Sequence, residues 1–162
     1  ERRDGQTFPQ VALYLLDVSG HGVASAMLSV TVSRLLSPVR SATALVYERD
    51  PDTGAHEVAS PGKVATRLGM RFQWDLEAGQ FFTLVYGVLN VRTGEFRYAS
   101  AGHPPPIYIG EEGDCFAEST EDLPIGIGPE QTERGVLRGH TGLGTRHVHK
   151  VAVARFLDVA EA

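Results

Sequence analysis

The order of apolar and polar positions predicts a strand and then a helix near the start of the chain. The apolar run Val11–Leu16 ends at Asp17 and leads into the glycine-rich turn 19–22. This pattern predicts a buried strand that places Asp17 at its end. Residues 23–36 contain neither Gly nor Pro and carry apolar side chains on several sides, so we predict a helix covered on more than one face.

A second helix and a hairpin are predicted further along the chain. Val64, Leu68 and Phe72 recur every four residues behind Pro61, which predicts a helix over 61–73. Two further stretches have the composition and alternation of strands and flank a loop ending in Gly, which indicates a β-hairpin. The strands are 81–89 and 95–100, and 107–109 is expected to join them as a third.

Antiparallel strands that follow helices favour an α+β fold or a layered sandwich over a doubly wound parallel sheet. The 162 residues carry 15 Lys+Arg against 20 Asp+Glu, so the net charge of −5 argues against nucleic acid as a partner. No apolar run is long enough to span a membrane. The single cysteine, Cys115, cannot pair within the chain, which favours a reducing, cytoplasmic location.

The turn after Asp17 has two interpretations. In the first, Asp17 is a ligand of a hard cation such as Mg²⁺ or Mn²⁺, and the glycines at 20 and 22 let carbonyl oxygens and water approach. In the second, Asp17 caps the following helix and the glycines only form a tight turn. The spacing alone does not decide between them.

Three blocks, in order along the chain, resemble one family. They are 17–26, beginning Asp-Val-Ser-Gly-His-Gly; 82–106, ending Ala-Gly-His-Pro-Pro-Pro; and 123–128, Leu-Pro-Ile-Gly-Ile-Gly. These blocks resemble the bacterial PPM phosphatases, the branch of PP2C-like serine/threonine phosphatases that acts in sporulation and sigma-factor regulation. The resemblance covers residues 11 to about 129.

The resemblance implies a four-layer αββα sandwich with a two-metal site, usually for Mn²⁺ or Mg²⁺. A water bridging the metals would attack phosphorus directly, without a phosphoenzyme. Carried over by position, Asp17 would bridge the metals and the carbonyl of Val18 would supply one ligand oxygen. The implied substrate is phosphoserine or phosphothreonine on a protein, such as an anti-sigma-factor antagonist.

The resemblance leaves the catalytic acid unassigned. Ser19 stands where eukaryotic members of the family carry a histidine, a candidate general acid, and His21 follows two positions later. We therefore expect His21 to orient the turn by a hydrogen bond. His103, between Gly102 and a proline run, is expected to be structural.

The other acidic ligands of the family have no match in this sequence. The only Asp-Gly pair, Asp4-Gly5, precedes the Asp17 strand, and Asp158 is the only Asp after Pro129. We therefore expect a sandwich incomplete at both ends. Residues 1–129 would form a partial phosphatase domain and 130–162 an unmatched tail rich in Gly, His and Arg.

Three alternatives to a metallophosphatase are open at this point. The first is a non-catalytic regulatory module that keeps the fold and lacks a complete metal site. The second is a nucleophilic hydrolase using Ser19, His21 and Asp17, although the turn lacks a G-x-S-x-G elbow. The third is a zinc site, for which no cysteines lie nearby. Its candidate ligands are His140, His147 and His149.

Overall fold

A computed structural model describes most of the first two thirds of the chain and short segments beyond. The residues it describes are 2–3, 6–7, 10–39, 43–72, 79–92, 95–104, 106–109, 115–117, 123–127, 137–139 and 151–152. Neither helix within these ranges has the length and hydrophobicity that a membrane-spanning helix requires.

The secondary structure is mixed, and most of the strands are short. The helices are α1 (Val23–Leu35) and α2 (Pro61–Arg71). The strands are β1 (Arg2–Arg3), β2 (Gln6–Thr7), β3 (Gln10–Val18), β4 (Tyr47–Arg49), β5 (His56–Val58), β6 (Phe82–Asn90), β7 (Phe96–Ala101), β8 (Ile107–Ile109), β9 (Cys115–Ala117), β10 (Leu137–Gly139) and β11 (Val151–Ala152). The predicted α+β class, both helices and the hairpin of β6 and β7 are confirmed.

The central sheet is antiparallel, with strand order β10-β7-β6-β3. On one face of β6, alternate residues are buried against side chains of both helices. The largest of these β6 side chains are Phe82, Leu84 and Tyr86. Residues that pair across the β3–β6 ladder share a face, so Asp17 and Thr83 lie on the opposite face from this core.

The prediction that β3 is buried is wrong. Within the described part of the chain β3 has only β6 as a neighbour, so it forms an edge of the sheet. Val11, Leu13 and Tyr14 are accordingly 43%, 36% and 42% exposed. An apolar run fixes the strand itself, but its burial depends on which elements pack on both of its sides.

The prediction that α1 is covered on more than one face is also wrong. Val32 and Leu35 are buried against the sheet, whereas Val23, Met27 and Val30 are exposed. These three residues recur at helical spacing and form an apolar stripe on the side of α1 away from the core.

Strand β8 does not extend the hairpin of β6 and β7, contrary to the prediction. It pairs with β9 and β11 in a separate sheet, and β10 takes the position next to β7. Gly102, with a φ of 63°, follows directly on the end of β7, and β8 then joins the separate sheet. The proposed division of the chain at residue 129 stays a prediction.

Candidate functional site

Asp17 lies one residue before the end of β3, on the face of the sheet opposite the helices. It pairs in register with Thr83 of β6, and its side chain is exposed. Within the described part of the chain, the carboxylate makes no hydrogen bond or ion pair. The sheet therefore places an unpaired acidic group at its edge, where it is open to a ligand.

The backbone of Val18 points outward from the same edge. The N–H of Ser19 donates to the carbonyl of Phe81 at 2.9 Å, and hydrogen-bonded and non-hydrogen-bonded pairs alternate along an antiparallel ladder. Val18 and Phe82 therefore form a non-hydrogen-bonded pair. Phe82 exchanges its backbone bonds with Ile125 instead, at 3.0 and 2.9 Å. The carbonyl of Val18 is thus directed away from β6, toward the open side of β3.

Two serine hydroxyls hold the turn that follows. The hydroxyl oxygen of Ser19 accepts a hydrogen bond from the N–H of Phe81 at 2.9 Å. The hydroxyl of Ser25, in the first turn of α1, donates to the carbonyl of Ser19 at 3.0 Å. These bonds attach the turn both to the strand beside it and to the helix after it.

The glycines of the turn adopt a conformation that other residues rarely reach. Gly20 and Gly22 have φ values of 80° and 89°. Gly22 is also the N-cap of α1, and no side chain caps this helix. The interpretation in which Asp17 caps the helix is therefore wrong. The Asp17 carboxylate does not bond to the N-terminus of α1.

The nucleophilic triad is not formed. The hydroxyl of Ser19 bonds to the backbone of Phe81, and His21 is exposed with no hydrogen bond to any described residue. Ser19 and Ser25 orient the turn through their hydroxyls. The prediction that a hydrogen bond of His21 does so is wrong for the described residues. The three histidines of the zinc alternative, and the acids Asp4 and Asp158, lie outside the described residues.

His103 is fixed at both its ring and its backbone. Its Nδ1 lies 2.7 Å from the hydroxyl oxygen of Thr83, and its carbonyl accepts a hydrogen bond from Ser100 at 2.7 Å. Burial lowers the pKa of the His103 imidazole, and the negative charge of Asp17 partly offsets this effect. These bonds hold His103 in place within the electrostatic reach of Asp17, and the expectation that its role is structural stays a prediction.

Sequence reasoning missed Thr83. A threonine among apolar residues is ordinary in a strand, so its composition gives no signal. Its importance comes from register, because it is the residue opposite Asp17 and the one that bonds His103.

Oxygen ligands suit a hard divalent cation, and Asp17 and Val18 together offer a carboxylate and an outward carbonyl. Such ions take about six oxygens, of which waters supply several. In the described ranges, no group of three or more His, Cys, Asp or Glu side chains could hold a metal. These two residues therefore fit part of the ligand shell of such an ion.

Curated proteins with similar sequences are phosphatases. The chain is 26% identical over 115 residues to the phosphoserine phosphatase RsbP of Bacillus subtilis, covering 71% of this chain and 26% of that protein. It is 25% identical over 118 residues to the phosphoserine phosphatase RsbU of the same organism, covering 72% and 31%. The chain thus spans only about a quarter to a third of the length of these relatives.

A solved structure shows the same fold. The crystal structure of the RsbU and RsbW domains of Rv1364c from Mycobacterium tuberculosis matches with a TM-score of 0.51 at 24% identity. The match covers 81% of this chain and 32% of that one. The fold is therefore that of the PP2C-like sandwich.

The family comparison covers most of the chain. Residues 9–141 match the family described as Stage II sporulation protein E (SpoIIE). This range includes the Asp17 turn, the central hairpin and the His103 turn. The chain therefore belongs to the SpoIIE family, in the sporulation and sigma-factor regulatory branch of the PP2C-like phosphatases.

Proposed function

We propose that this domain hydrolyses phosphoserine or phosphothreonine in a protein substrate, with Mn²⁺ or Mg²⁺ held at Asp17 and Val18. The observation that carries the proposal is the exposed, unpaired carboxylate of Asp17 next to a carbonyl directed to the same open edge. Membership of a family with relatives named phosphoserine phosphatases supports the reaction class.

Asp17 and the turn that follows it have different roles in the proposed site. Asp17 supplies negative charge that attracts a divalent cation, and the bonds of Ser19 and Ser25 keep the Val18 carbonyl in place. When bound, divalent ions lower the pKa of water and stabilise charge that develops on phosphoryl oxygens. The contribution of these residues is therefore to hold a carboxylate and a backbone carbonyl side by side at the edge of the sheet.

The substrate in this proposal is a phosphorylated regulatory protein. The branch to which the chain belongs acts in sigma-factor regulation, which supports an anti-sigma-factor antagonist as the phosphoprotein. The presence of a single cysteine, at position 115, supports a reducing, cytoplasmic setting.

Activity and metal binding should be measured on the same protein. Turnover of a phosphoserine peptide and of p-nitrophenyl phosphate is assayed with Mn²⁺ and with Mg²⁺, and binding of each ion is followed by calorimetry. We expect Asp17→Asn to abolish both. Asp52→Asn is the matched control, because Asp52 is an exposed aspartate in the turn between β4 and β5. Turnover that survives in Asp17→Asn would overturn the proposal.

One observation favours a second function, that of a non-catalytic module that binds a partner protein. No cluster of three or more metal-ligating side chains occurs within the described ranges. Under this alternative, calorimetry detects no binding of Mn²⁺ and neither phosphorylated compound is turned over. Micromolar binding of Mn²⁺ that depends on Asp17 would exclude it.

A further inference from the structure

One ring nitrogen of the His103 imidazole is hydrogen-bonded, and the other has no partner among the described residues. Nδ1 is bonded to the hydroxyl of Thr83 at 2.7 Å, whereas Nε2 has no partner within the described part of the chain. The residue as a whole is only partly buried. The ring also lies close enough to Asp17 for the carboxylate to act on its pKa.

The contact between Nδ1 of His103 and the hydroxyl of Thr83 is compatible with two tautomers of the ring. The hydroxyl of Thr83 bonds only to His103 among the described residues, and the carboxylate of Asp17 does not accept from it. If Nδ1 carries the ring proton, it donates to the hydroxyl oxygen of Thr83 and Nε2 can only accept a hydrogen bond. If Thr83 donates to Nδ1, the ring proton lies on Nε2, and this neutral tautomer can donate a hydrogen bond from Nε2 to an anionic oxygen.

We propose that His103, held by Thr83 as the Nε2–H tautomer, donates a hydrogen bond to a phosphoryl oxygen of the phosphorylated substrate. This inference rests on the proposed function, because it places the phosphoryl group next to Asp17. Hydrogen bonds to an anionic oxygen are shorter and stronger than those between neutral groups. Thr83 is then a positioning residue, and His103 is the residue that touches the substrate.

Two features suit His103 to this task. Burial lowers the pKa of its imidazole below the ordinary value, against the opposing effect of the Asp17 charge, and this favours the neutral ring. Ser100 fixes the backbone of the same residue through its carbonyl, at 2.7 Å. Because both ends are already anchored, binding a phosphoryl group immobilises little more of the side chain.

The tautomer can be measured without any enzymatic activity. In the full chain labelled with ¹⁵N-histidine, long-range ¹H–¹⁵N spectra report which ring nitrogen of His103 carries the proton. We expect the Nε2–H form, and we expect inorganic phosphate added with Mg²⁺ to shift the Nε2 resonance. Thr83→Val should remove the tautomer preference. Thr66→Val, which removes a hydroxyl bonded to the Gly62 carbonyl within α2, should not.

Kinetics separate substrate binding from structural support. We expect His103→Ala to raise the KM for a phosphoserine peptide at least about tenfold, as loss of a hydrogen bond to a charged group does. His103→Gln keeps an N–H donor and should recover part of this loss, whereas His56→Ala, at an exposed position in β5, should leave KM unchanged.

The outcomes distinguish this inference from the proposed function. A proton on Nδ1, or an Nε2 resonance that phosphate does not move, would overturn the role of His103 even if Asp17-dependent turnover is found. An active enzyme in which His103→Ala keeps the wild-type KM would overturn it as well. Absence of turnover would contradict the proposed function, while the phosphate-dependent shift would still decide whether His103 binds a phosphoryl oxygen.

Discussion

The ring of Pro124 lies directly against the α-carbon of Gly102, where no side chain can fit. A Cβ atom on Gly102 would lie 2.5 Å from Cγ and 2.6 Å from Cδ of Pro124. Gly102 also has a φ of 63°, in the left-handed region. Since it stands between the end of β7 and His103, this close packing sets the direction in which the chain returns toward Thr83.

Gly102→Ala should therefore destabilise the domain by about 2–4 kcal/mol, because overpacking adds to the strain of a left-handed residue. Urea unfolding measures the change in the free energy of unfolding. Gly79→Ala is the matched control, since Gly79 has a φ of 57° but nothing within 4 Å of its Cβ position. Its expected loss is about 1 kcal/mol. Equal losses in the two variants would show that Pro124 moves aside without resistance.

Ser19 is expected to contribute more to stability than its position in a surface turn suggests. Ser19→Ala removes the acceptor for the N–H of Phe81, so the free energy of unfolding should fall by about 1–2 kcal/mol. Ser29→Ala is the control, because the Ser29 hydroxyl bonds only to a carbonyl one turn earlier in α1. That change should have an effect below about 0.5 kcal/mol. A similar, small loss in both variants would contradict the anchoring role of Ser19.

Local signals made the helices and the hairpin predictable. The hydroxyl of Ser60 caps α2 by accepting from the N–H of Lys63, Pro61 occupies the first turn, and apolar residues follow at helical spacing. Each of these signals lies within a few residues of the element that it specifies. The Asp17 turn was recognisable for the same reason, as an acid followed by two glycines that need positive φ.

What could not be predicted depends on contacts between distant residues. Strand β3 has the composition of a buried strand, and its exposure follows from having a single neighbouring strand among the described residues. The bond between Thr83 and His103 joins residues 20 positions apart and requires both the register of β6 and the turn at Gly102. Neither the edge position of β3 nor the pairing register of β6 can be recognised from the residues near it in the sequence.

Arg67 and Lys63 both interact with Glu48, but they should differ in their contribution to stability. Lys63 forms a half-exposed ion pair at 2.9 Å, whereas the guanidinium of Arg67 also donates to the carbonyls of Leu45 and Tyr47 at 2.8 and 3.0 Å. We expect Arg67→Ala to lower the free energy of unfolding by about 2 kcal/mol and Lys63→Ala by less than about 0.5 kcal/mol. Chemical denaturation at two salt concentrations tests both, and losses of equal size would refute the distinction.

Tyr86 has a fully buried hydroxyl with no hydrogen-bond partner among the described residues. A buried polar group without a partner loses its hydrogen bonds to water and forms none within the protein, so its burial costs free energy. Tyr86→Phe should therefore keep the free energy of unfolding at pH 7 or raise it by up to about 1 kcal/mol. Tyr14→Phe, at an exposed position in β3, is the control and should have no effect. A loss of more than about 1 kcal/mol in Tyr86→Phe would show that the hydroxyl is bonded.

The same hydroxyl should make the domain sensitive to alkaline pH. Burial, and to a lesser degree the neighbouring Tyr47, raises the pKa of Tyr86 from 10.0 to about 12. Folding thus favours the protonated phenol, so this contribution to stability is complete below pH 10 and is lost as the pH rises through about 12. Within that window the wild type should lose up to about 1.4 kcal/mol per pH unit more than Tyr86→Phe. Parallel stability curves for the two proteins would show that the phenol ionises as easily in the folded state as in the unfolded state.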